Sequence, residues 1–372
     1  MRFDRPLSPP AASPPAASPP PAYPALDDEP LRADDVPGES ALEPSSDTPS
    51  SGRFPAAPVV RPPRGEGAIV VTGICGRLGR HVCRVLHRER KFVGVDRRPF
   101  PDKPRDVRHE QVDLRRKKVK DVFRSGEVEA VVHLGIMHDP RASAAEHHSW
   151  NVAGFAKLLD YVHQFEVPKL IVLSSANVYG PHADNAQFLS EEAPLLGGQN
   201  FGDIRDLIEV DMLAQSFFWK LPSTETVILR PVHILGSVRN APSNFLRLPT
   251  IPTLLGFDPM VQVLHEDDVV RAIELALRPG VRGVFNVAGP PPLPLSRIIK
   301  ILGRPTVPVP YTVGRVLLHR MWSLRLSSFP APGLDHLRFV CMVDDSRARR
   351  ELGYAPSRSL EETVRAVDEG LW

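Results

Sequence analysis

The stretch that decides the fold is AIVVTGICGRLG, residues 68–79. Five strand-forming residues run into Thr-Gly-x-x-Gly-x-x-Gly, and a segment compatible with a helix follows. In such a unit Gly73 permits the tight turn, Gly76 lets the backbone approach a pyrophosphate, and Gly79 lets the helix pack closely on the strand. The helix N-terminus then offers free N–H groups to the anion. The stretch predicts a dinucleotide phosphate cradle; the alternative is a glycine-rich turn in another kind of α/β protein.

Strand-like and helix-like segments alternate after this stretch. β-Branched runs occupy residues 68–72, 92–96, 130–134, 170–174 and 226–229, and helical spacing occupies 78–90 and 152–165. Apolar strands that alternate with helices are typical of a parallel sheet covered on both faces. The predicted fold class is therefore α/β, a Rossmann-type doubly wound parallel sheet.

The rhythm breaks after residue 235, and strand-like segments return at 261–264 and 284–287. We therefore predict a dinucleotide-binding Rossmann domain over 66–235 that also takes sheet elements from 261–289. Residues 236–372 are expected to form mainly a small substrate-side lobe and closing helices.

Residues 1–65 differ in composition from the rest of the chain. Seventeen of the 41 prolines fall within the first 63 residues, among Ala, Ser, Asp and Glu. Proline lacks the N–H that helices and ladders need, so this segment is predicted to be disordered, with local polyproline II character. It is either a tail for a proline-recognising partner or a solvated extension without a function.

Composition excludes several classes. The 372 residues carry a net charge of +2, which gives no argument for nucleic acid or for an anionic membrane. Cys75, Cys83 and Cys341 lack Cys-x-x-Cys spacing, so no disulfide framework and no metal site is predicted. No apolar run reaches transmembrane length and no secretory signal is recognisable, so a cytoplasmic protein is expected.

Further motifs follow the glycine loop in a fixed order. They are Gly94-Val95-Asp96, Val112-Asp113-Leu114, Val131-Val132-His133-Leu134-Gly135, Asn151-Val152-Ala153-Gly154, Ser174-Ser175-Ala176-Asn177-Val178-Tyr179-Gly180 and Leu229-Arg230-Pro231. With them, residues 67–372 resemble the extended short-chain dehydrogenases/reductases, the NAD(P)-dependent epimerase/dehydratase family.

The resemblance implies a cofactor site. An acid at the position of Asp96 accepts hydrogen bonds from the adenosine ribose hydroxyls, which favours NAD. Arg97 or Arg98 could instead pair with a 2′-phosphate, so NADP stays open. The family's motifs imply cofactor contacts from Thr72, Gly73, Gly76, Arg77, Leu78, Gly79, Asp96, Arg97, Asp113, Leu114, Leu134, Gly135, Arg230 and Pro231.

The catalytic part of the pattern is incomplete. The resemblance gives Ser175 the role of orienting the reacting hydroxyl or carbonyl. It also requires Tyr-x-x-x-Lys on a helix, which occurs nowhere after the glycine loop. One register puts Asp203 and Leu207 at the two positions, and a shift by two puts Phe201 and Arg205 there. Asp203 could act as an acid only if burial raised its pKa.

Two functions therefore compete. The first is an NAD(P)-dependent oxidoreductase or epimerase acting on a nucleotide sugar or related substrate, with Ser175 and either Asp203 or a histidine such as His138 at the reacting atoms. The second is a non-catalytic NAD(P)-binding sensor or scaffold. A structural protein without a cofactor conflicts with the glycine loop. Relatives often form homodimers through two helices, and the aromatic residues 217–219 offer apolar surface for that, although core packing explains them equally well.

Overall fold

The computed structural model of the protein describes residues 67–124, 128–137, 142–199, 202–238, 241–323 and 331–369, without the side chains of 199, 202–203, 241–242, 321–323 and 331–333. The predicted disordered tail lies outside these residues. The strands are β1 (Ala68–Thr72), β2 (Lys91–Asp96), β3 (Arg108–Gln111), β4 (Val128–His133), β5 (Lys169–Leu173), β6 (Glu225–Pro231), β7 (His233–Leu235), β8 (Ile251–Leu254), β9 (Met260–Val261), β10 (Val263–His265), β11 (Gly283–Val287), β12 (Leu293–Pro294) and β13 (Thr306–Val309).

The α-helices within the described residues are α1 (Arg77–Leu86), α2 (Lys120–Arg124), α3 (Ala144–His148), α4 (Gly154–Gln164), α5 (Gly202–Lys220), α6 (Glu266–Ala276), α7 (Leu295–Leu302), α8 (Tyr311–Ser323) and α9 (Leu360–Arg365). A π-helical segment, Ser149–Ala153, joins α3 to α4.

Seven strands form one parallel sheet in the order β11-β6-β5-β4-β1-β2-β3. This order reverses direction next to β1, as in doubly wound dinucleotide-binding folds. The predicted α/β fold class with a Rossmann-type sheet is confirmed. Because the strands are parallel, Thr72, His133 and the residues that follow β5 and β6 share one edge of the sheet.

Each face of the sheet has its own apolar core. Ile69 and Val71 of β1 pack on one side with residues of α1 and α6, while Val70 packs on the other side with residues of α2, α4 and α5. Successive side chains of a strand point to opposite faces, which is why one continuous apolar run fills both cores. The short apolar strands of the sequence are therefore buried on both sides.

The C-terminal part has a third apolar cluster. It joins β8, β10, α7 and α9, with Leu246, Ile251, Ile298, Leu334 and Val364 among its buried residues. Three two-stranded pairs, β7–β10, β8–β13 and β9–β12, complete this region. The domain limits proposed from the sequence stay a prediction.

Candidate functional site

The turn after β1 is built for close backbone approach. Gly73 has φ +73°, and a Cβ there would lie 2.7 Å from the Cα of Gly135. A Cβ on Gly79 would lie 2.4 Å from the carbonyl oxygen of Gly73. Side chains at these two positions would collide with backbone, so packing requires both glycines, and the positive φ of Gly73 requires glycine there by conformation as well.

The middle glycine stands in a different environment. Gly76 is the N-cap of α1 with ordinary φ −67°, and a Cβ there would meet only the Gly73 carbonyl at 3.1 Å and the Arg98 guanidinium at 3.7 Å. The first turn of α1 contains no acidic residue. An accessible helix N-terminus without a competing carboxylate is suited to a phosphate.

The residues that begin α1 divide their tasks. Arg77 is exposed and donates from Nη1 to the carbonyl of Ser237 at 2.5 Å, which links the glycine loop to the segment after β7. Leu78 is buried in the core. Of these two predicted cofactor contacts, only the Arg77 side chain lies at the surface.

The acid at the end of β2 is buried and fully engaged. Oδ2 of Asp96 accepts from the Cys75 backbone N–H at 3.1 Å and from Nη2 of Arg98 at 3.0 Å. Oδ1 accepts from the backbone N–H and Nε of Arg98 at 2.9 and 3.1 Å. Burial raises the pKa of Asp96, but the hydrogen bonds and charge of Arg98 outweigh it and hold the pKa below the usual aspartate range. The Arg98 side chain is 54% exposed.

Arg97 points away from this pair. Its guanidinium lies 4.7 Å from the ring centre of Trp150, and the Arg115 guanidinium lies 5.3 Å from the same ring. Arg115 also forms a bidentate pair with Asp113, which holds the pKa of that carboxyl low against the opposing effect of burial. Trp150 was not predicted from the sequence, although it stands directly before Asn151 of a recognised motif.

The end of β4 is tied to β1 and to the π-helical segment. Thr72 Oγ1 and His133 Nδ1 are 2.7 Å apart, and burial lowers the pKa of His133 to about 3. Asn151 accepts from the Met137 N–H at 2.7 Å and donates to its carbonyl at 3.2 Å. These contacts fix the backbone that carries the predicted cofactor residues Leu134, which is half-buried, and Gly135, which is buried.

A buried polar network lies below the ends of β5 and β6. Asp211 accepts from Ser174 Oγ at 2.6 Å and forms two hydrogen bonds with Arg230, at 2.9 and 2.7 Å. Arg230 also donates to the Tyr179 hydroxyl, which in turn donates to Asn286 at 2.8 Å. Burial raises the pKa of Tyr179 to about 12 against the opposing charge of Arg230.

This network bears on a predicted cofactor contact. Arg230 is 1% exposed, and its guanidinium is engaged by Asp211, by the Tyr179 hydroxyl and by the Glu191 carbonyl. Its side chain therefore faces the interior, and we infer a structural role for it. Pro231, which follows it, is also buried.

The two predicted catalytic residues differ in what can be said of them. Ser175 is half-buried, and its Oγ accepts from the Asn177 N–H at 3.2 Å, which caps a short 3₁₀ helix. Asp203 lies in the first turn of α5, and its side chain is outside the described residues. Phe201 and His138 also lie outside them.

The two residues of α5 proposed for the lysine position differ in burial. Leu207 is 5% exposed and belongs to the main core, whereas Arg205 is exposed. A buried leucine cannot bind a ribose through charge or a hydrogen bond, and the choice between the two registers stays a prediction. Neither register supplies a phenol.

Histidines border the same region. His233, the first residue of β7, has a ring centre 5.8 Å from that of His336. Burial lowers the pKa of His233 to about 4 and, together with the charge of His233, that of His336 to about 3. Buried nitrogens without a hydrogen-bond partner are found at Nδ1 of His233 and at Nε2 of His182 within the described part of the chain. With these lowered pKa values, His233 and His336 are neutral near pH 7. No helix among the described residues is long and apolar enough to cross a membrane.

Comparison with known proteins agrees with this fold. An uncharacterized protein of Mycobacterium tuberculosis (strain ATCC 25618 / H37Rv) is 27% identical over 318 residues, which span 82% of this chain and 84% of that protein. The UDP-glucose 4-epimerase of Dictyostelium discoideum is 25% identical over 227 residues, 54% of this chain and 64% of the epimerase.

Solved structures give the same fold. The UDP-glucose 4-epimerase of Thermotoga maritima, solved with UDP-glucose, has a TM-score of 0.64 at 18% identity and covers 82% of this chain and 98% of its own. The Thermus thermophilus UDP-glucose 4-epimerase, solved with NAD, has a TM-score of 0.64 at 19% identity with the same coverage. The model of the NAD dependent epimerase/dehydratase family matches residues 69–288, and the chain belongs to this family.

Proposed function

We propose that this protein binds NAD and a nucleotide sugar, and that any proton transfer on the sugar uses groups other than the usual tyrosine and lysine. The observation that carries the proposal is the glycine turn. A side chain at Gly73 or Gly79 would collide with backbone, whereas the absence of a side chain at Gly76 lets a ligand approach the N-terminus of α1.

The residues present fit a dinucleotide. The N–H groups at the start of α1 are suited to the pyrophosphate, and the Asp96 carboxylate is suited to the adenosine ribose once Arg98 moves aside. Trp150 contacts the guanidinium groups of Arg97 and Arg115 and so holds these side chains beside the proposed cofactor site. Bound NAD supplies a hydride acceptor; the protein residues bind it, orient it and exclude water.

The substrate class rests on the relatives. Structures similar to this fold contain UDP-glucose or UDP-glucuronic acid. Ser175 follows β5 at the carboxyl edge of the sheet, where ligands of doubly wound folds bind, and its hydroxyl is suited to orienting a sugar hydroxyl or carbonyl. The proposed acid–base group is Asp203 or a histidine such as His138; His233, whose Nδ1 has no hydrogen-bond partner among the described residues, is a further candidate. Loss of a general acid–base group removes about 10²–10⁴-fold in rate, so turnover should be slow.

The proposal is tested by binding and then by turnover. Calorimetry with NAD⁺, NADH, NADP⁺ and NADPH should give one dinucleotide site, and Gly76→Val should abolish it while the circular dichroism spectrum is kept. Val85→Thr, at an exposed position of the same helix, α1, is the matched control. No affinity for any of the four dinucleotides would refute the proposal. NADH fluorescence with a panel of nucleotide sugars then tests the reaction.

A non-catalytic sensor or scaffold is the second candidate. The absence of Tyr-x-x-x-Lys beside a complete glycine loop favours it. Dinucleotide binding without turnover on any member of the nucleotide-sugar panel would favour this candidate over the enzyme.

We also propose a homodimer in which α5 lies at the interface. Met212 and Trp219 of α5 are 59% and 63% exposed, whereas Phe217 is buried. Two large apolar side chains spaced by seven residues lie on one helix face, as a helix-pairing surface requires. Light scattering during size-exclusion chromatography should give twice the chain mass, and Met212→Glu with Trp219→Glu should halve it. A monomeric parent protein would exclude the dimer.

A further inference from the structure

Three side chains of metal-binding type converge on the outer side of α3 and α5. His148 Nδ1 lies 3.3 Å from Asp206 Oδ1 and 3.7 Å from Glu209 Oε2. One ligand atom from each residue lies within 4.8 Å of the other two. Within the part of the chain that the structure describes, this is the only group of three such side chains.

The helices bring these residues together. Asp206 and Glu209 are three residues apart on α5, so their side chains share a face of that helix. His148 is the last residue of α3, where the helix widens into the π-helical segment Ser149–Ala153. Asp206 is 8% exposed, whereas His148 and Glu209 have about half-exposed side chains. The group therefore has a buried base and an open outer side.

We propose that His148, Asp206 and Glu209 bind a Zn²⁺ ion. Zinc takes one imidazole nitrogen and carboxylate oxygens at about 2.0–2.2 Å, which in a tetrahedron puts neighbouring ligand atoms roughly 3.4 Å apart. The observed separations of 3.3 and 3.7 Å match that edge. The open outer side leaves the fourth position for water or another ligand. Cysteine takes no part, so cysteine spacing in the sequence carried no information about this site.

The donor set selects among metals. Mg²⁺ and Ca²⁺ prefer ligand sets made of oxygen alone, and the imidazole of His148 offers nitrogen. Imidazole together with carboxylate suits zinc and its neighbours among the divalent transition metals. A bound ion would join the end of α3 to α5 and so fix the start of the segment that carries Trp150 and Asn151.

The competing explanation is an ordinary surface ion pair between His148 and the two acids. Such pairs contribute little and need no metal. The chain provides a matched control, because His87 lies 2.8 Å from the exposed carboxylate of Asp106 without a third ligand. A histidine–carboxylate pair alone should not hold zinc, whereas the three-residue group should.

The experiment uses the full-length protein, stripped with a chelator and dialysed, and Zn²⁺ alone as the probe. Competition with a chromophoric chelator should give one equivalent of zinc per chain. His148→Ala and Glu209→Gln should each weaken the affinity by more than the roughly 10–100-fold that loss of an outer-shell partner causes. His87→Ala should leave it unchanged. Circular dichroism checks that all variants are folded.

A second readout reports the ligands directly. Co²⁺ in place of Zn²⁺ should give visible absorption bands of a four-coordinate site in the parent protein and lose them in His148→Ala. Absence of a stoichiometric zinc site would overturn the proposal. Equal affinity in the parent protein and His148→Ala, or an equal loss in His87→Ala, would overturn it as well.

Discussion

Replacing Arg98 by alanine should strengthen NAD⁺ binding. An ionised carboxylate has about four acceptor positions. In this protein all four hydrogen bonds to Asp96 come from within the chain, two of them from the Arg98 side chain. A ribose diol can bind Asp96 only by displacing that side chain, so removing it removes the competitor.

The magnitude follows from the exposure of the pair. A charge-assisted hydrogen bond contributes about 1.5–3 kcal/mol when enclosed, and an exposed ion pair about 0–1 kcal/mol. Asp96 is buried but the Arg98 side chain is 54% exposed, so we expect a displacement cost of about 1–2 kcal/mol. Arg98→Ala should therefore tighten NAD⁺ binding by roughly 5–30-fold.

The assay is calorimetry with NAD⁺ and NADP⁺ in parallel. NADP⁺ should respond in the opposite sense, because a guanidinium that stabilises the 2′-phosphate is lost. Arg90→Ala is the control, since its guanidinium is exposed and pairs with Glu129. Unchanged or weaker NAD⁺ binding by a folded Arg98→Ala variant would refute the competition between Arg98 and the ribose.

Three further predictions concern stability. Arg230→Met leaves Asp211 charged and buried without its partner, so it should lower the free energy of unfolding by about 3–5 kcal/mol. The control Arg365→Met, at an exposed position, should change it by less than about 1 kcal/mol. Equal denaturant midpoints for the two variants would contradict the buried pair. Gly73→Ala should destabilise the protein by about 1–3 kcal/mol more than Gly280→Ala. Both glycines have positive φ, but only a Cβ at position 73 would lie within 3 Å of other backbone atoms. Equal thermal midpoints for the two variants would contradict this. The pKa of Asp96 is depressed in the folded protein, so its ionised carboxylate stabilises the fold above the unfolded pKa of about 3.9, and this stabilisation is lost as pH falls through the folded pKa. Asp96→Asn should therefore flatten the acid side of a plot of unfolding free energy against pH. An unchanged slope would contradict the assignment.

The sequence predicted the elements whose signal is local. The apolar runs at β1, β2, β4, β5 and β6 were found because a strand buried on both faces is a continuous β-branched stretch. The edge strand β3 was missed, since its four residues, Arg108–Gln111, are all polar and partly or fully exposed. β3 is a strand because it pairs with β2, and the residue types of β3 do not predict that pairing.

At the candidate site the glycine loop could be predicted and its surroundings could not. The sequence placed Arg97 and Arg98 equally near Asp96, and only the folded chain shows that Arg98 holds the carboxylate while Arg97 lies over Trp150. It placed Arg230 among the cofactor contacts, whereas the fold encloses its side chain with Asp211. Side-chain direction at a strand end depends on neighbours that are distant in sequence.

The sequence by itself determined the family, the parallel α/β fold, the glycine-rich turn after β1 and the absence of the tyrosine and lysine pair. Each follows from residue identity within a few positions, where conformation and hydrophobic periodicity act. Only the tertiary structure decided which arginine meets Asp96 and that His148 meets Asp206 and Glu209. These contacts join residues up to 61 positions apart. They depend on how helices pack on the sheet, which a local pattern does not encode.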